Sequence, residues 1–178
     1  MSLIQFEWNL SALAPAPSAD QAPYVLRRAQ ASEKEKIKTV AASALSIDSG
    51  WNDATKTLVG RVIEKVTESF AEEDPKAIVL LHGSRIIGVS VLDSDADSEN
   101  HFITGPCVLH EYRSRGLGSQ LTLHSLVLLK EMGPPHARAI AGSTSTLAKF
   151  VYPKFGPVAR PYEGTWSPTA IRLISSTK

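Results

Sequence analysis

The spacing of apolar residues changes along the chain, and each spacing predicts a kind of element. Residues 4–8 alternate apolar and polar side chains, and we expect an edge strand or a docked arm there. Residues 11–23, rich in Ala, Pro and Ser, predict an irregular lead-in. A helix is predicted over residues 54–73, where every fourth residue of one stripe is apolar: Leu58, Val62, Val66 and Phe70.

Short β-rich runs predict the strands, and runs of helix formers bounded by caps and breakers predict the other helices. The predicted strands cover residues 24–29, 77–81, 86–92, 101–109, 137–141, 157–162 and 165–174, and the helices residues 33–45, 119–130 and 145–155. Ser32 is the predicted N-cap of the first helix. This order predicts a mixed α/β or α+β fold with a largely antiparallel front half. We expect an N-terminal extension at residues 1–23 and one domain at 24–178.

Composition and charge narrow the class of protein. The net charge of +1 provides no basic field, so we expect neither a nucleic-acid nor a membrane partner. Cys107 is the only cysteine, which excludes an internal disulfide and fits a reducing compartment. No apolar run approaches the roughly 20 residues of a spanning helix, and no signal sequence is recognisable. We therefore expect a cytoplasmic protein.

A glycine-rich turn at residues 113–118 lies between a predicted strand and a predicted helix. Such a turn collects unpaired backbone N–H groups at the positive end of a helix dipole, which suits phosphate oxygens. A Walker A loop is excluded because no lysine follows Gly118. A dinucleotide fingerprint is excluded because the third glycine is missing. The turn predicts a phosphate site without identifying the phosphate.

Two spaced motifs identify the ligand by resemblance. Residues 108–121 resemble the acyl-CoA-binding motif of the GNAT superfamily of N-acetyltransferases, with Arg113 and the glycines at its conserved positions. Residues 145–156 resemble the family's Asn-x-x-Ala-x-x-x-Tyr-x-x-x-Gly-Phe helix. The matching residues there are Ala148, Tyr152 and Gly156, whereas Ser145 replaces the asparagine and Pro157 replaces the phenylalanine.

The resemblance implies a GNAT fold, in which a mixed, mostly antiparallel sheet flanked by helices splays between a bulged strand and the strand at 137–141. It also implies acetyl-CoA as the acyl donor and an amine of a small molecule or peptide as the acceptor. The amine would attack the thioester directly, without a metal, and the family includes homodimers. The donor-binding residues it implies are Cys107, Val108, Leu109, His110, Arg113, Ser114, Arg115, Gly116, Leu117, Gly118, Ser119, Ser145, Ala148 and Tyr152.

By the same resemblance Tyr152 is the general acid. A tyrosine hydroxyl, with a pKa of about 10, stays protonated at neutral pH and can donate to a leaving thiolate. A Gly and a Pro at residues 105 and 106 break the strand as a β-bulge does. Backbone N–H groups just beyond the bulge, at Cys107 and Val108, would polarise the thioester carbonyl, since Pro106 cannot donate.

The general base is less clearly marked. Many family members carry an acid shortly before the bulge, where this chain has Thr104 and Gly105. His101 and His110 are the candidate bases, and a water chain or an acidic loop residue is equally open. Without a base, the chain would instead be a non-catalytic acyl-CoA-binding regulatory module.

Two further features carry weaker hypotheses. The acidic residues at 93–99 suggest calcium, but Ser98 and Thr104 stand where an EF-hand loop needs Gly and Glu, so we expect a solvated loop. Trp51 lies where family members often form the acceptor pocket, and simple packing explains it equally well. No motif identifies the acceptor.

Overall fold

The computed structural model describes residues 2–15, 20–49 and 53–164. Within them the chain forms eight strands and three α-helices. The strands are β1 (Leu3–Asn9), β2 (Asp20–Gln21), β3 (Tyr24–Arg28), β4 (Ala77–His82), β5 (Arg85–Val91), β6 (Cys107–Val108), β7 (His136–Gly142) and β8 (Val158–Tyr162). The helices are α1 (Lys34–Ser49), α2 (Asp53–Ser69) and α3 (Leu117–Met132). The predicted strand at 165–174 and Trp51 lie outside the described residues.

Five strands form an antiparallel sheet in the order β2-β3-β4-β5-β6. Helices cover both faces of this sheet, so the side chains at its centre are apolar on both sides. Leu80 of β4 and Ile87 of β5 are completely buried, as is Leu121 of α3. The predicted stripe of α2 is buried against this core, which confirms that helix. None of the described helices has the length and apolarity that crossing a bilayer requires.

Helix α1 begins differently from the prediction. The sequence favoured Ser32 as its N-cap, but a 3₁₀ turn over Ala31–Glu33 precedes the helix. The Glu33 carboxylate accepts the Gln30 N–H at 2.9 Å, so a side chain reaching back from the turn satisfies the free donor.

The first strand lies at the centre of a second sheet. This three-stranded antiparallel sheet has the order β7-β1-β8, with Phe6 opposite Ala139 on one side and Ala159 on the other. The expectation of an edge strand or docked arm is therefore wrong, and residues 3–9 are built into the fold. Phe6 and Trp8 are buried, at 3% and 2% exposure. Their alternation gives the inward face of the strand but not its neighbours, which come from the far end of the chain.

The two sheets separate along residues 100–109, which we call the bulged strand. At its start the His101 N–H donates to the Arg138 carbonyl of β7 at 2.8 Å. Further along, β6 pairs with β5 alone, and β7 pairs with β1 alone. The gap between β6 and β7 is the splay that the sequence predicted.

Candidate active site

The bulged strand leaves its partner β5 for three residues. Val91 and Val89 of β5 lie opposite Ile103 and Cys107, so the one β5 residue between them faces residues 104–106. A bulge of this kind leaves some ladder groups without their usual partners. The structure must satisfy them in another way or expose them to a ligand.

The Thr104 hydroxyl satisfies one backbone group of β5 and one of the bulge itself. It accepts the Val91 N–H at 3.1 Å and donates to the Gly105 carbonyl at 2.7 Å. Gly105 takes a left-handed conformation, with φ of 65°. The buried Thr104 side chain thus fixes the shape of the bulge.

The hydrogen-bonding pattern between β5 and β6 shows that the backbone N–H groups of Cys107 and Val108 point in opposite directions. The Leu109 N–H donates to the Ile87 carbonyl of β5 at 2.9 Å, and such pairs alternate along an antiparallel ladder. The Cys107 N–H therefore faces β5, whereas the Val108 N–H faces the splay. The Val108 carbonyl lies on the same side and accepts from Arg113 Nε at 3.0 Å. Val108 is the better donor of the two.

Tyr152 is carried by an irregular helix, not by the regular one predicted for 145–155. A π-helical turn over Leu147–Val151 passes into a 3₁₀ turn over Tyr152–Phe155, and the Tyr152 N–H donates to the Leu147 carbonyl. Pro153 has no N–H to continue the ladder. Single π turns of this kind are frequent at functional sites.

The Tyr152 side chain is enclosed by aromatic rings. The ring centroids of Phe6 and Trp8 both lie 5.3 Å from that of Tyr152, and the centroid of Phe102 lies 5.9 Å away. The side-chain hydroxyl reaches the bulge, because a Cβ on Gly105 would lie 3.8 Å from it. Sequence reasoning missed Phe6 and Trp8, since β1 reaches this site only through its long-range pairing.

The environment keeps the tyrosine protonated. Tyr152 is 1% exposed, and this burial, with a smaller contribution from Cys107, raises the pKa of its hydroxyl well above the usual value. The hydroxyl is thus a neutral hydrogen-bond donor throughout the physiological range of pH.

The glycine turn forms the N-terminus of α3. Gly116 caps the helix with φ of 76°, and the first backbone bond runs from the Gln120 N–H to the Gly116 carbonyl at 3.2 Å. Ser114 also has a positive φ, of 61°. The N–H groups of Leu117, Gly118 and Ser119 precede this first bond and have no acceptor within the helix. They are the donors on which the predicted phosphate site depends.

The two arginines beside this turn are engaged with protein groups. Arg113 donates from its Nη2 to the Ala44 carbonyl at 3.2 Å, in addition to its bond to β6. Arg115 donates to the Tyr24 hydroxyl at 2.8 Å and to the Glu111 carbonyl at 3.1 Å. Both side chains therefore hold the loop in shape.

A lysine that sequence reasoning missed lies at the turn instead. Lys154 Nζ donates to the Ser119 hydroxyl at 2.9 Å, in the first turn of α3. The only sequence signal was its position two residues after Tyr152, which indicates no role without the fold.

His101 has a structural role. It lies where the bulged strand still bonds to β7, which we call the closed end of the splay; the open end is at β6. Its Nδ1 accepts the Arg138 N–H at 2.8 Å, so its ring proton is on Nε2, and the side chain is completely buried. Burial lowers its pKa. Neither nitrogen offers a lone pair to a substrate proton, which argues against the predicted role as base. Beside it Asn100 Oδ1 accepts the Ile140 N–H at 3.3 Å.

Two further predicted site residues are His110 and Ser145. His110 is exposed in the turn between β6 and α3, directly after the buried Leu109. The Ser145 hydroxyl accepts the Ala148 N–H at 3.2 Å at the start of the irregular helix.

In the acidic loop at residues 93–99, two aspartate side chains accept backbone N–H groups of the loop itself. Asp93 accepts the Asp95 N–H, and Asp95 accepts the Asp97 N–H, both at 3.0 Å. Among the described residues, no group of three or more His, Cys, Asp or Glu side chains is arranged to hold a metal. A cavity of about 380 Å³ lies between this loop and the end of α2. It includes Ile103 of the bulged strand but neither Tyr152 nor the glycine turn.

Comparison with known structures supports the fold. A GCN5-related N-acetyltransferase from Sphaerobacter thermophilus matches with a TM-score of 0.66 and 12% identity, over 90% of this chain and 49% of its own. A GCN5-related N-acetyltransferase from Kribbella flavida matches with a TM-score of 0.55 and 17% identity, over 90% and 55%. The chain thus spans about half the length of these relatives. No curated protein sequence matches.

Comparison with family models identifies the family. Residues 44–156 match the model of the acetyltransferase (GNAT) family, a segment that contains α2, the bulged strand, the glycine turn and Tyr152. The fold class and family predicted from the sequence are thus confirmed. This chain belongs to the GNAT acetyltransferase family.

Proposed function

We propose that the protein transfers an acetyl group from acetyl-CoA to an amine of a small molecule or peptide by direct attack. The observation that carries this proposal is the position of the Tyr152 hydroxyl at the bulge, next to Gly105. A proton donor and an outward-facing backbone N–H, that of Val108, border the same opening between the sheets. Both groups accelerate acyl transfer from a thioester.

The chemistry assigns one task to each group. The amine nitrogen attacks the carbonyl carbon of the thioester, and the Val108 N–H stabilises the negative charge that develops on the carbonyl oxygen. The C–S bond then breaks, and the leaving sulfur takes a proton from the Tyr152 hydroxyl. The proton lost by the amine returns to the tyrosine through solvent. The free N–H groups at the start of α3 hold the phosphates of the donor.

Removal of the amine proton needs an acceptor. An alkyl ammonium has a pKa of about 10.4, so the neutral amine is rare at pH 7. The hydrogen bond to His101 Nδ1 leaves His110 as the histidine open to solvent in the bulged strand and the turn after it. We propose that the proton passes to water or to His110.

The proposal is tested by incubating the protein with acetyl-CoA and a panel of amines, peptides and aminoglycosides while free thiol is monitored. We expect turnover with at least one acceptor class. Coenzyme A binding without turnover across the panel would favour the alternative, a regulatory module that binds acyl-CoA.

A further inference from the structure

Strand β1 brings a polar group into the aromatic surroundings of Tyr152. Trp8 is 2% exposed, and its indole N–H has no hydrogen-bond partner among the described residues. Such a donor is unfavourable in a protein interior, because it has lost its water and gained no oxygen or nitrogen acceptor in exchange. The rings around the indole are the groups left to accept this N–H.

The Tyr152 ring has the orientation that an N–H donor needs. Its centroid lies 5.3 Å from that of Trp8, and the two planes make an angle of 82°. Phe102 is further away, at 5.9 Å, and Phe6 is stacked nearly parallel at 6.3 Å. A near-perpendicular pair places an edge of one ring against the negative face of the other. This geometry fits an N–H···π hydrogen bond from Trp8 to Tyr152.

The backbone holds Trp8 more regularly than Tyr152. β1 is bonded to β7 on one side and to β8 on the other, and Trp8 lies opposite Ala137. Tyr152, by contrast, lies at the junction of a π turn and a 3₁₀ turn. The central strand can therefore fix the ring of a residue whose own backbone is irregular. β1 lies outside residues 44–156, which match the family model, so the family motifs do not predict this contact.

Proton transfer should strengthen the contact. When the Tyr152 hydroxyl gives its proton to the leaving sulfur, negative charge develops on the phenolic oxygen and spreads into the ring. An N–H directed at the face of that ring is attracted more strongly by the charged form than by the neutral form. The interaction then stabilises the transition state more than the bound substrate, which raises kcat.

We propose that Trp8 is a positioning residue of the acyl-transfer site, whose indole N–H donates to the face of the Tyr152 ring and holds the hydroxyl at the bulge. This inference rests on the proposed function, because it takes Tyr152 as the proton donor. It assigns the N-terminal strand a part in catalysis. Because Trp8 acts through the tyrosine, its effect falls on kcat and not on the KM for acetyl-CoA.

The first test replaces Trp8 in the full-length protein by 3-benzothienylalanine, in which sulfur takes the place of the N–H and the fused rings keep their shape. With an acceptor that the amine panel identifies, kcat at saturating acetyl-CoA should fall about fivefold, as expected for one weak hydrogen bond. The KM for acetyl-CoA should stay within about twofold. Phe70→Leu is the packing control: it changes a buried aromatic residue just after α2 and should leave kcat within about twofold.

Nuclear magnetic resonance tests the contact without turnover. A proton that points at a ring face is shielded by the ring current, so the Trp8 indole proton of the wild type should resonate upfield of that of free tryptophan. The signal that is missing from the spectrum of Trp8→Phe identifies this proton. Tyr152→Leu removes the ring and should move the signal back toward the position of free tryptophan.

Three results would overturn the inference. A kcat of the benzothienylalanine protein equal to that of the wild type would show that the shape of the indole suffices. An indole proton at the position of free tryptophan would show that the N–H faces no ring, and a signal unmoved by Tyr152→Leu would assign the contact to another ring. Turnover with none of the acceptors would instead contradict the proposed function, and the resonance experiment would still decide whether the N–H meets Tyr152.

Discussion

The two ends of the bulged strand differ in how they satisfy their polar groups. At the closed end, Asn100 and His101 accept the N–H groups of Ile140 and Arg138 on β7, so side chains replace the missing backbone acceptors. At the open end, the Val108 N–H faces the splay. The closed end joins the two sheets, and the open end is the proposed site of acyl transfer. A buried histidine belongs to the first end and a buried tyrosine to the second.

The comparison predicts the largest effect at the open end. Tyr152→Phe removes the proton donor and keeps the ring, so kcat should fall by about 10²–10³-fold with little change in stability. Steady-state kinetics at saturating acetyl-CoA measure the loss. Tyr162→Phe is the control, because that hydroxyl donates to Glu99 at 2.6 Å, outside the splay. Equal rates in the two variants would disprove the role of Tyr152.

The hydroxyl of Thr104 should matter for stability. Thr104→Val leaves the Val91 N–H without its acceptor in the buried bulge, which should lower the free energy of unfolding by about 1–3 kcal/mol. Thr104→Ser keeps the hydroxyl and should lose much less. Urea unfolding of both variants measures the difference. A valine variant as stable as the serine variant would show that the bulge does not depend on this bond.

Alanine substitutions at two glycines distinguish the effect of backbone strain on stability from an effect on the active site. Gly105 and Gly83 have φ of 65° and 60°, so alanine at either position should cost about 1–2 kcal/mol of stability. Only at Gly105 would the added Cβ meet other groups, at 3.3 Å from Leu147 and 3.8 Å from the Tyr152 hydroxyl. We therefore expect kcat to fall about tenfold in Gly105→Ala alone, because the tight contact shifts Leu147, the first residue of the turn that carries Tyr152. Equal kcat values would contradict that contact.

The smallest effect concerns pH at the closed end. The folded protein lowers the pKa of His101, so the unfolded state binds its proton first as the pH falls. Stability should be full above about pH 6.5 and decline below it, by at most ~1.4 kcal/mol per pH unit for this group. His124, whose pKa is also lowered by burial, adds to the slope.

Unfolding free energies of the wild type, His101→Gln and His124→Gln between pH 5 and 8 separate the two histidines. Because His101 is completely buried, its replacement should flatten the pH dependence more. An unchanged slope in His101→Gln would show that this histidine titrates equally in both states.

The sequence predicted the open end better than the closed end, because the features of the open end are encoded by residues that are close together in the sequence. A glycine turn, a strand break by Gly105 and Pro106, and the Ala148–Tyr152 spacing each lie within a few neighbouring residues. The closed end depends on bonds between residues 37 to 40 positions apart, such as Arg138 to His101 and Ile140 to Asn100. Nothing near His101 in the sequence distinguishes a structural acceptor from a base.

The position of β1 and the shape of the irregular helix are likewise not encoded by neighbouring residues. The alternation in β1 was visible, but its place between β7 and β8 depends on residues at the other end of the chain. The π turn before Tyr152 closes its hydrogen bond over five residues where an α-helix uses four, a difference that the apolar pattern of a short segment does not encode. Phe6 and Trp8 were therefore found only through the fold.

The position of a bound thioester tests the central claim most directly. In a crystal structure of the complex with acetyl-CoA, we expect the sulfur within about 4 Å of the Tyr152 hydroxyl and the carbonyl oxygen about 2.9 Å from the Val108 nitrogen. A thioester bound outside the splay, or one whose carbonyl oxygen faces away from Val108, would contradict the assignment of the open end as the acyl-transfer site.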